Sequence, residues 1–408
     1  MTGRPRESLR PTRRRERIPS LDLLRGFALL GILIINIQVF SMISAAYLNP
    51  TAYGDLSGVN GWVYILSHVL ADQKFMTLFT ILYGAGIVLM TSRAEARGTS
   101  SAGIHYRRTF ILLVIGLLHA YLLWAGDVLV SYALCALVVF PFRNLAPRTL
   151  LTLGLCSVLI ASAIFLFTGL SLAYIPPDAI AEMTDNWKPS AELVQEEVAA
   201  YRSGWLKQME ERVGTALFLQ TKGFLLWGLW RIGGLMLVGM ALFKWGVLTA
   251  ARSSRFYFGL ATAGLTLGWI LSSYGLVHNF ARNWSLDCQF IGSQYNYWGS
   301  VPVSLGYLSI VMLICKSDLR GPLSQSVSAV GRTALSNYLL QTLLCTTLFY
   351  GHGFGLFGSV ERTEQVAIVL AVWIVQLVAS SWWVKRFRYG PLEWVWRSLT
   401  YWNLQPIR

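Results

Sequence analysis

SLDLLRGFALLGILIINIQVF, residues Ser20 to Phe40, is apolar enough to cross a bilayer yet carries Asp22, Arg25 and Asn36. Arg25 and Asn36 are eleven residues apart, about three helical turns or ~16 Å of rise, so with Asp22 they share one stripe. Polar groups are costly in hydrocarbon, so this stripe predicts a helix that faces protein or a cavity filled with water or ligand. The structural alternative is an Asp22–Arg25 salt bridge that only anchors the helix at the interface.

The rest of the chain extends that reading. Of 408 residues, 54% are hydrophobic and only 13% charged, against about 25% charged in soluble proteins. Several apolar runs reach membrane-span length, about 18 residues or more. The pattern predicts an all-α polytopic bundle of about ten transmembrane helices. They are placed at Ser20–Ile43, Phe75–Ser92, Tyr106–Trp124, Val128–Phe142, Thr149–Leu170, Lys222–Phe243, Arg255–Leu276, Tyr297–Cys315, Gly331–Tyr350 and Glu364–Val384.

Thirty-four Lys and Arg against twenty Asp and Glu give a net charge of +14. With the N-terminus inside, twenty-three basic residues fall on inner segments and seven on outer ones. That bias predicts both termini in the cytoplasm and a multi-pass protein of the cell membrane. The organisation follows: a basic tail over 1–19, a bundle over 20–384 with an outer lid at 171–214, and a basic tail over 385–408. The N-terminal arginines read as a topology signal and an anionic-lipid contact. No aromatic-interleaved module accompanies them, which argues against nucleic acid. The apolar stretch after them is too long and too polar along one stripe for a cleaved signal peptide. In the lid, Ser190 after Pro189 predicts an N-cap, and Val194, Val198, Tyr201, Trp205 and Met209 follow at helical spacing. Four of the five cysteines sit in apolar runs and Cys288 in a loop, with neither a disulfide framework nor metal-ligand spacing. No metal is expected.

The chain has no GxSxG, HExxH, Walker loop or paired-cysteine motif, so chemistry must come from polar residues inside helices. Rise per residue puts His119, Asn36, Arg231 and Gln341 at about 15–20 Å from the inner edge. Asn337 lies one turn below Gln341, and Asp127 follows the turn after His119. If their side chains point inward, five helices offer polar groups to one pocket. Each has a structural alternative. His119 would be a satisfied buried histidine, Asp127 a helix cap, and Asn337 and Gln341 interhelical hydrogen bonders. Arg231 at that depth needs a partner or an anionic ligand.

Six blocks carry a resemblance: SLDLLRGFALLGILIIN, FMTLFTILYGAGI, GLLHAYLLWAGDVL, LWRIGGLMLVGMALFKWGVL, GRTALSNYLLQTLLCTTLFYGHGFGLFG and FRYGPLEWVWRSLTY. In this order, from about Ile18 to Tyr401, they resemble the YeiB-like bacterial membrane family, whose conserved domain is of unknown function. That family is grouped with transmembrane acyltransferases, including heparan-alpha-glucosaminide N-acetyltransferase and bacterial enzymes that O-acylate surface sugars. The resemblance implies transfer of an acyl group from cytosolic acyl-CoA, as co-substrate, to an acceptor beyond the membrane. The sugar O-acyltransferases carry a histidine eleven residues after the first-helix arginine, where this chain has Asn36. His119 is therefore the substitute base or acyl carrier, oriented by Asp127, with Asn36, Gln341 or Arg231 stabilising an oxyanion. Arg25 with Asp22, and Arg107, Arg108 and Arg332, are the expected holders of CoA phosphates. His68, Asp72 and Lys74 around the LADQKF block, with Asn337, are the expected acceptor contacts. The alternative is a transporter or flippase in which the buried ionisable residues line a path. A non-catalytic partner protein is a third reading. Membrane lipid is an expected partner, and the sequence leaves room for a homodimer.

Overall fold

In the computed structural model, residues 17–317 and 321–408 are described. The expected basic segment 1–16 and Arg320 lie outside them. The helices are α1 (Pro19–Ser41), α2 (Ser44–Leu48), α3 (Gly58–Leu70), α4 (Lys74–Ala96), α5 (Ser101–Leu122), α6 (Leu129–Val139), α7 (Pro147–Leu170), α8 (Pro177–Trp187), α9 (Ala191–Arg202) and α10 (Gln208–Gln220). They continue as α11 (Leu229–Lys244), α12 (Ser254–Ala281), α13 (Ser293–Lys316), α14 (Pro322–Arg332), α15 (Ala334–Phe349), α16 (Arg362–Arg386) and α17 (Pro391–Tyr401). Among the described residues, eight helical stretches are long and apolar enough to cross a membrane. The chain is a multi-pass, all-α membrane protein.

The other two expected spans are shorter or broken. α6 has 11 residues and gives way to a 3₁₀ turn at Phe140–Asn144, where Pro141 has no N–H to continue the ladder. The expected span Gly331–Tyr350 is divided at Thr333, with α14 on one side and α15 on the other. Cys288, expected in a loop, is buried at the start of the π turn leading into α13.

α1 is the axis. It packs against α4, α13, α14, α15 and α16, which explains why most of its length is buried. Its closest approach is to α14. A side chain at Gly26 would drive into the carbonyl oxygen of Val327, and one at Gly331 into that of Asp22. Two glycines therefore let the backbones of α1 and α14 touch, as small residues do at membrane helix crossings. Gly26→Val is expected to lower stability by about 1–3 kcal/mol or more, from overpacking against rigid backbone. A thermal melt in detergent checks this, and an unchanged midpoint would mean the crossing is looser than described.

Arg17, the first described residue, meets the C-terminal segment at one face of the bundle, its guanidinium donating to the Arg388 carbonyl at 3.1 Å. Residues 385–408, expected as a tail, instead include the end of α16 and α17, which packs back on α5 and α15. Its apolar and aromatic residues are the reason: Trp396 donates its indole N–H to the Arg108 carbonyl at 2.9 Å. At the opposite face the lid contains α8, α9 and the start of α10. Ser190 caps α9 by accepting from the Leu193 N–H, and Tyr201 stacks on Phe357 with ring centroids 4.5 Å apart. Arg212 fixes the lid to the end of α5, donating to the Leu122 carbonyl at 2.8 Å.

Candidate functional site

A cavity of about 550 Å³ opens among α1, α4, α5, α6, α15 and α17. Six arginines line it: Arg25, Arg93, Arg97, Arg108, Arg332 and Arg397. Its wall on α4 runs from Arg97 up to Phe79, eighteen residues or about 27 Å of helix. The far end is aromatic and aliphatic, formed by Leu29, Ile32, Phe79, Tyr132, Val128 and Tyr338. A cationic mouth below an apolar end suits a ligand with phosphates at one end and an acyl chain at the other.

The expected arginines divide here. Arg25 reaches both the Asp22 carboxylate at 3.4 Å and the Gly331 carbonyl at 3.3 Å, so the anchoring salt bridge exists and its guanidinium still lines the cavity. Asp22 serves as that partner and does not reach the cavity. Arg108 lines the wall, its guanidinium stacked 4.4 Å above the Trp396 ring. Arg107, one residue and about 100° round the same helix, instead donates to the Gly103 carbonyl and is not part of the lining.

Just beyond the apolar end lies His119. Its Nδ1 is 2.7 Å from Asp127 Oδ1 and its Nε2 is 2.9 Å from Thr342 Oγ1. An ionised Asp127 only accepts, so Nδ1 carries a proton and, in the neutral ring, Nε2 accepts from the Thr342 hydroxyl. Asp127 Oδ2 also accepts from the Val130 N–H at 2.8 Å. One carboxylate thus both caps α6 and orients the imidazole. A passage from the Arg25 end of the cavity to the imidazole is closed: both side chains of the pair are fully buried. Tyr338 closes it, with its ring 5.2 Å from the imidazole and its hydroxyl accepting from the Val128 N–H at 3.3 Å.

The remaining polar residues do not meet His119 in one pocket, which corrects the expected convergence. Gln341 donates to the Gln376 side chain at 3.0 Å and to the Leu29 carbonyl, and Gln376 donates to the Asn337 carbonyl. Asn337 donates to Thr333 and Ser380. This buried amide ladder ties α15 to α16 and α1. It satisfies its own donors, so neither Gln341 as oxyanion donor nor Asn337 as acceptor contact is free to serve. Asn36 is half-buried and makes no hydrogen bond to His119 among the described residues. Arg231, on α11, lies instead with Thr77 and Ser300. Lys74 donates to the His68 carbonyl and to Asn296, which in turn donates to Asp72 at 2.7 Å. Asp72 also lies 3.4 Å from His68 Nδ1 and accepts from Tyr47.

Three contributors escaped the sequence reading. Thr342 and Asn296 sit among ordinary apolar helix residues, and only their position opposite His119 or Lys74 marks them. Glu393, on α17, accepts from the N–H groups of Leu335 and Ser336 at 2.6 and 3.2 Å and from the Ser336 hydroxyl. It caps α15 and lines the cavity beside the arginines. Burial pushes its carboxyl above the ordinary value of 4.5, and the hydrogen bonds from Ser336 and Leu335 oppose this. Between the ordinary and the raised value, the folded state therefore binds more proton at this group than the unfolded chain does. The resulting stability is full below the ordinary value and declines as pH rises through the raised one. Glu393→Gln is expected to flatten that decline in a pH series of melts, and an unaltered slope would assign it to another group.

Fold and site together define a multi-pass helical membrane protein with an arginine-lined internal cavity closed by Tyr338, behind which lies a histidine–carboxylate pair. The chain belongs to the YeiB-like family, and residues 242–403 match the family described as "Protein of unknown function (DUF418)". It is 33% identical over 398 residues to the uncharacterized protein YeiB of Escherichia coli (strain K12), covering 94% of this chain and 96% of that protein. It is likewise 33% identical over 423 residues to the uncharacterized protein YxaH of Bacillus subtilis (strain 168), with 98% of each chain covered. An uncharacterized 39.9 kDa protein of Bacillus acidopullulyticus is 26% identical, with 96% of each chain covered.

Proposed function

We propose that this protein is an acyl-CoA-dependent acyltransferase of the plasma membrane, moving an acyl group from the cytoplasmic side to an acceptor on the outer side. The observation that carries the reading is the six-arginine cavity ending one side chain short of the His119–Asp127 pair. The basic face takes the cytoplasmic side by the distribution of Lys and Arg. CoA phosphates then lie among Arg108, Arg332 and their neighbours, and the thioester points at Tyr338. Rotation of Tyr338 admits it to His119. Nε2 takes the proton from the attacking acceptor group, whose place the Thr342 hydroxyl marks, and Asp127 stabilises the imidazolium. The proton then passes to the departing CoA sulfur. Incubating membranes that hold the protein and its acceptor with several acyl-CoAs should release CoA and leave acylated acceptor, above the level in membranes lacking the protein. No release with any of them would sink the reading.

The second reading, a transporter or flippase, is favoured by Lys74 and Arg231, buried on α4 and α11, with the half-buried Asp72 on the turn before α4. Solute uptake into proteoliposomes without CoA would support it over the first.

A further inference from the structure

Three of the largest fully buried side chains are arginines, Arg212, Arg231 and Arg362. Two of them hold backbone together. Arg212 donates to the carbonyls of Tyr121 and Leu122, and Arg362 to those of Asp55, Pro50 and Tyr53. Arg231 touches neither a carbonyl nor a carboxylate. Its Nη2 donates to the hydroxyls of Ser300 at 2.6 Å and Thr77 at 3.2 Å, and its guanidinium lies 4.0 Å from the Tyr297 ring. Its Nε and Nη1 are buried with no hydrogen-bond partner among the described residues. Tyr297 and the nearby Asp72 offset the burial of this charge only in part, since two of its three nitrogens keep no partner, and burying an incompletely paired charge is unfavourable.

The surroundings make this a site rather than an accident. Thr77 is one turn beyond Lys74 on α4, and Ser300 is one turn beyond Asn296 on α13. The two helices thus present Lys74–Asn296 and Thr77–Ser300 as successive layers, the second under Arg231. Above them, His68 and Asp72 keep 15% and 13% of their side chains exposed, which gives the layers an edge toward the outside. The turn between α3 and α4 is strained there: Gln73 is left-handed at φ 62°, and its Oε1 is buried without a partner. Such conformations persist where the surroundings impose them, commonly at binding sites. Asp72 is the one carboxylate beside these two basic side chains among the described residues.

We propose that Arg231 and Lys74 form an oxyanion-binding site, for a carboxylate or phosphate group, reached from the face opposite the arginine cavity. Lys74 and Arg97 are at opposite ends of α4, about 34 Å apart along it. The site is therefore separate from the proposed CoA position, and either assignment stands if the other fails. Its ligand is the anionic part of the acceptor or, in a transporter, of the cargo, supplied by a lipid headgroup or a free solute.

The test uses full-length protein carrying Arg108→Gln and Arg332→Gln, which weakens anion binding in the inner cavity. Sodium phosphate and sodium acetate are titrated in phosphatidylcholine nanodiscs, and phosphatidylglycerol nanodiscs are compared without added anion. Binding should raise the melting temperature and protect backbone amides in 68–80 and 294–304 from hydrogen exchange. A response to phosphatidylglycerol alone identifies a headgroup, and a response to the soluble anions a free solute. Arg231→Met should melt higher than its parent without anion, because an incompletely paired charge is gone, and should bind at least about tenfold more weakly. Arg231→Lys should keep a reduced response. The proposal is overturned if Arg231→Met fails to fold or melts lower, as Arg362→Met should. It is equally overturned if no anion source protects 68–80, or if Arg231→Met responds like its parent.

Discussion

Replacing His119 by alanine is expected to lower CoA release about 10²-fold or more while acyl-CoA binding is retained. Binding is spared because the imidazole lies behind Tyr338 and outside the cavity lining. Turnover is lost because no other described imidazole is paired to a carboxylate beside that cavity. His105, which lines the cavity, contacts the Ala136 carbonyl at 3.1 Å and stacks on Phe140. His68 pairs with Asp72 at the opposite end of α4. Asp127→Asn should reproduce much of the loss, since an amide can donate to Nδ1 and fix the wrong tautomer. Two steady-state parameters separate this from misfolding: KM stays near the parent value while kcat falls. Near-normal turnover in a folded His119→Ala protein would move the chemistry to His68 and Asp72.

The second large effect is expected at the cavity mouth. Arg108→Gln with Arg332→Gln should weaken acyl-CoA binding by about 10²–10⁴-fold, because charge-assisted hydrogen bonds contribute about 1.5–3 kcal/mol each. The loss should shrink at high salt, where the parent's own advantage is screened. Lysine at both positions should recover part of the affinity, since charge returns without the planar fork. Arg108 also stacks on Trp396, so the variant needs a melting curve to show that α17 remains docked. Equal affinity in a docked variant would remove the arginines from the ligand site.

How far the sequence reached depends on what each signal measures. Apolar run length gives most of the spans, and the helical bundle follows from them. Ser190, Asp22–Arg25 and His119–Asp127 were legible because each pairing is local, within eight residues. Rise per residue gives the height of a polar side chain in the bundle and nothing about its azimuth. That is why Arg231, Asn337 and Gln341, similar in depth to His119, proved to belong to different helix interfaces. Arg107 and Arg108 make the same point at one residue's spacing. Long-range partners were invisible: Thr342 is 223 residues from His119, and Asn296 is 222 from Lys74. α17 was missed because the basic residues over 385–408 read as a tail, whereas Trp396 and the buried Glu393 bring the helix back onto the bundle.

The most direct test of the central claim is equilibrium binding of radiolabelled acetyl-CoA and palmitoyl-CoA to the purified protein in nanodiscs. The arginine cavity predicts saturable binding of at least one of them. It should be displaced by unlabelled CoA, displaced less well by CoA lacking its 3′-phosphate, and lost with Arg108→Gln/Arg332→Gln. Absence of saturable binding, or binding indifferent to both the phosphate and the two arginines, would contradict it.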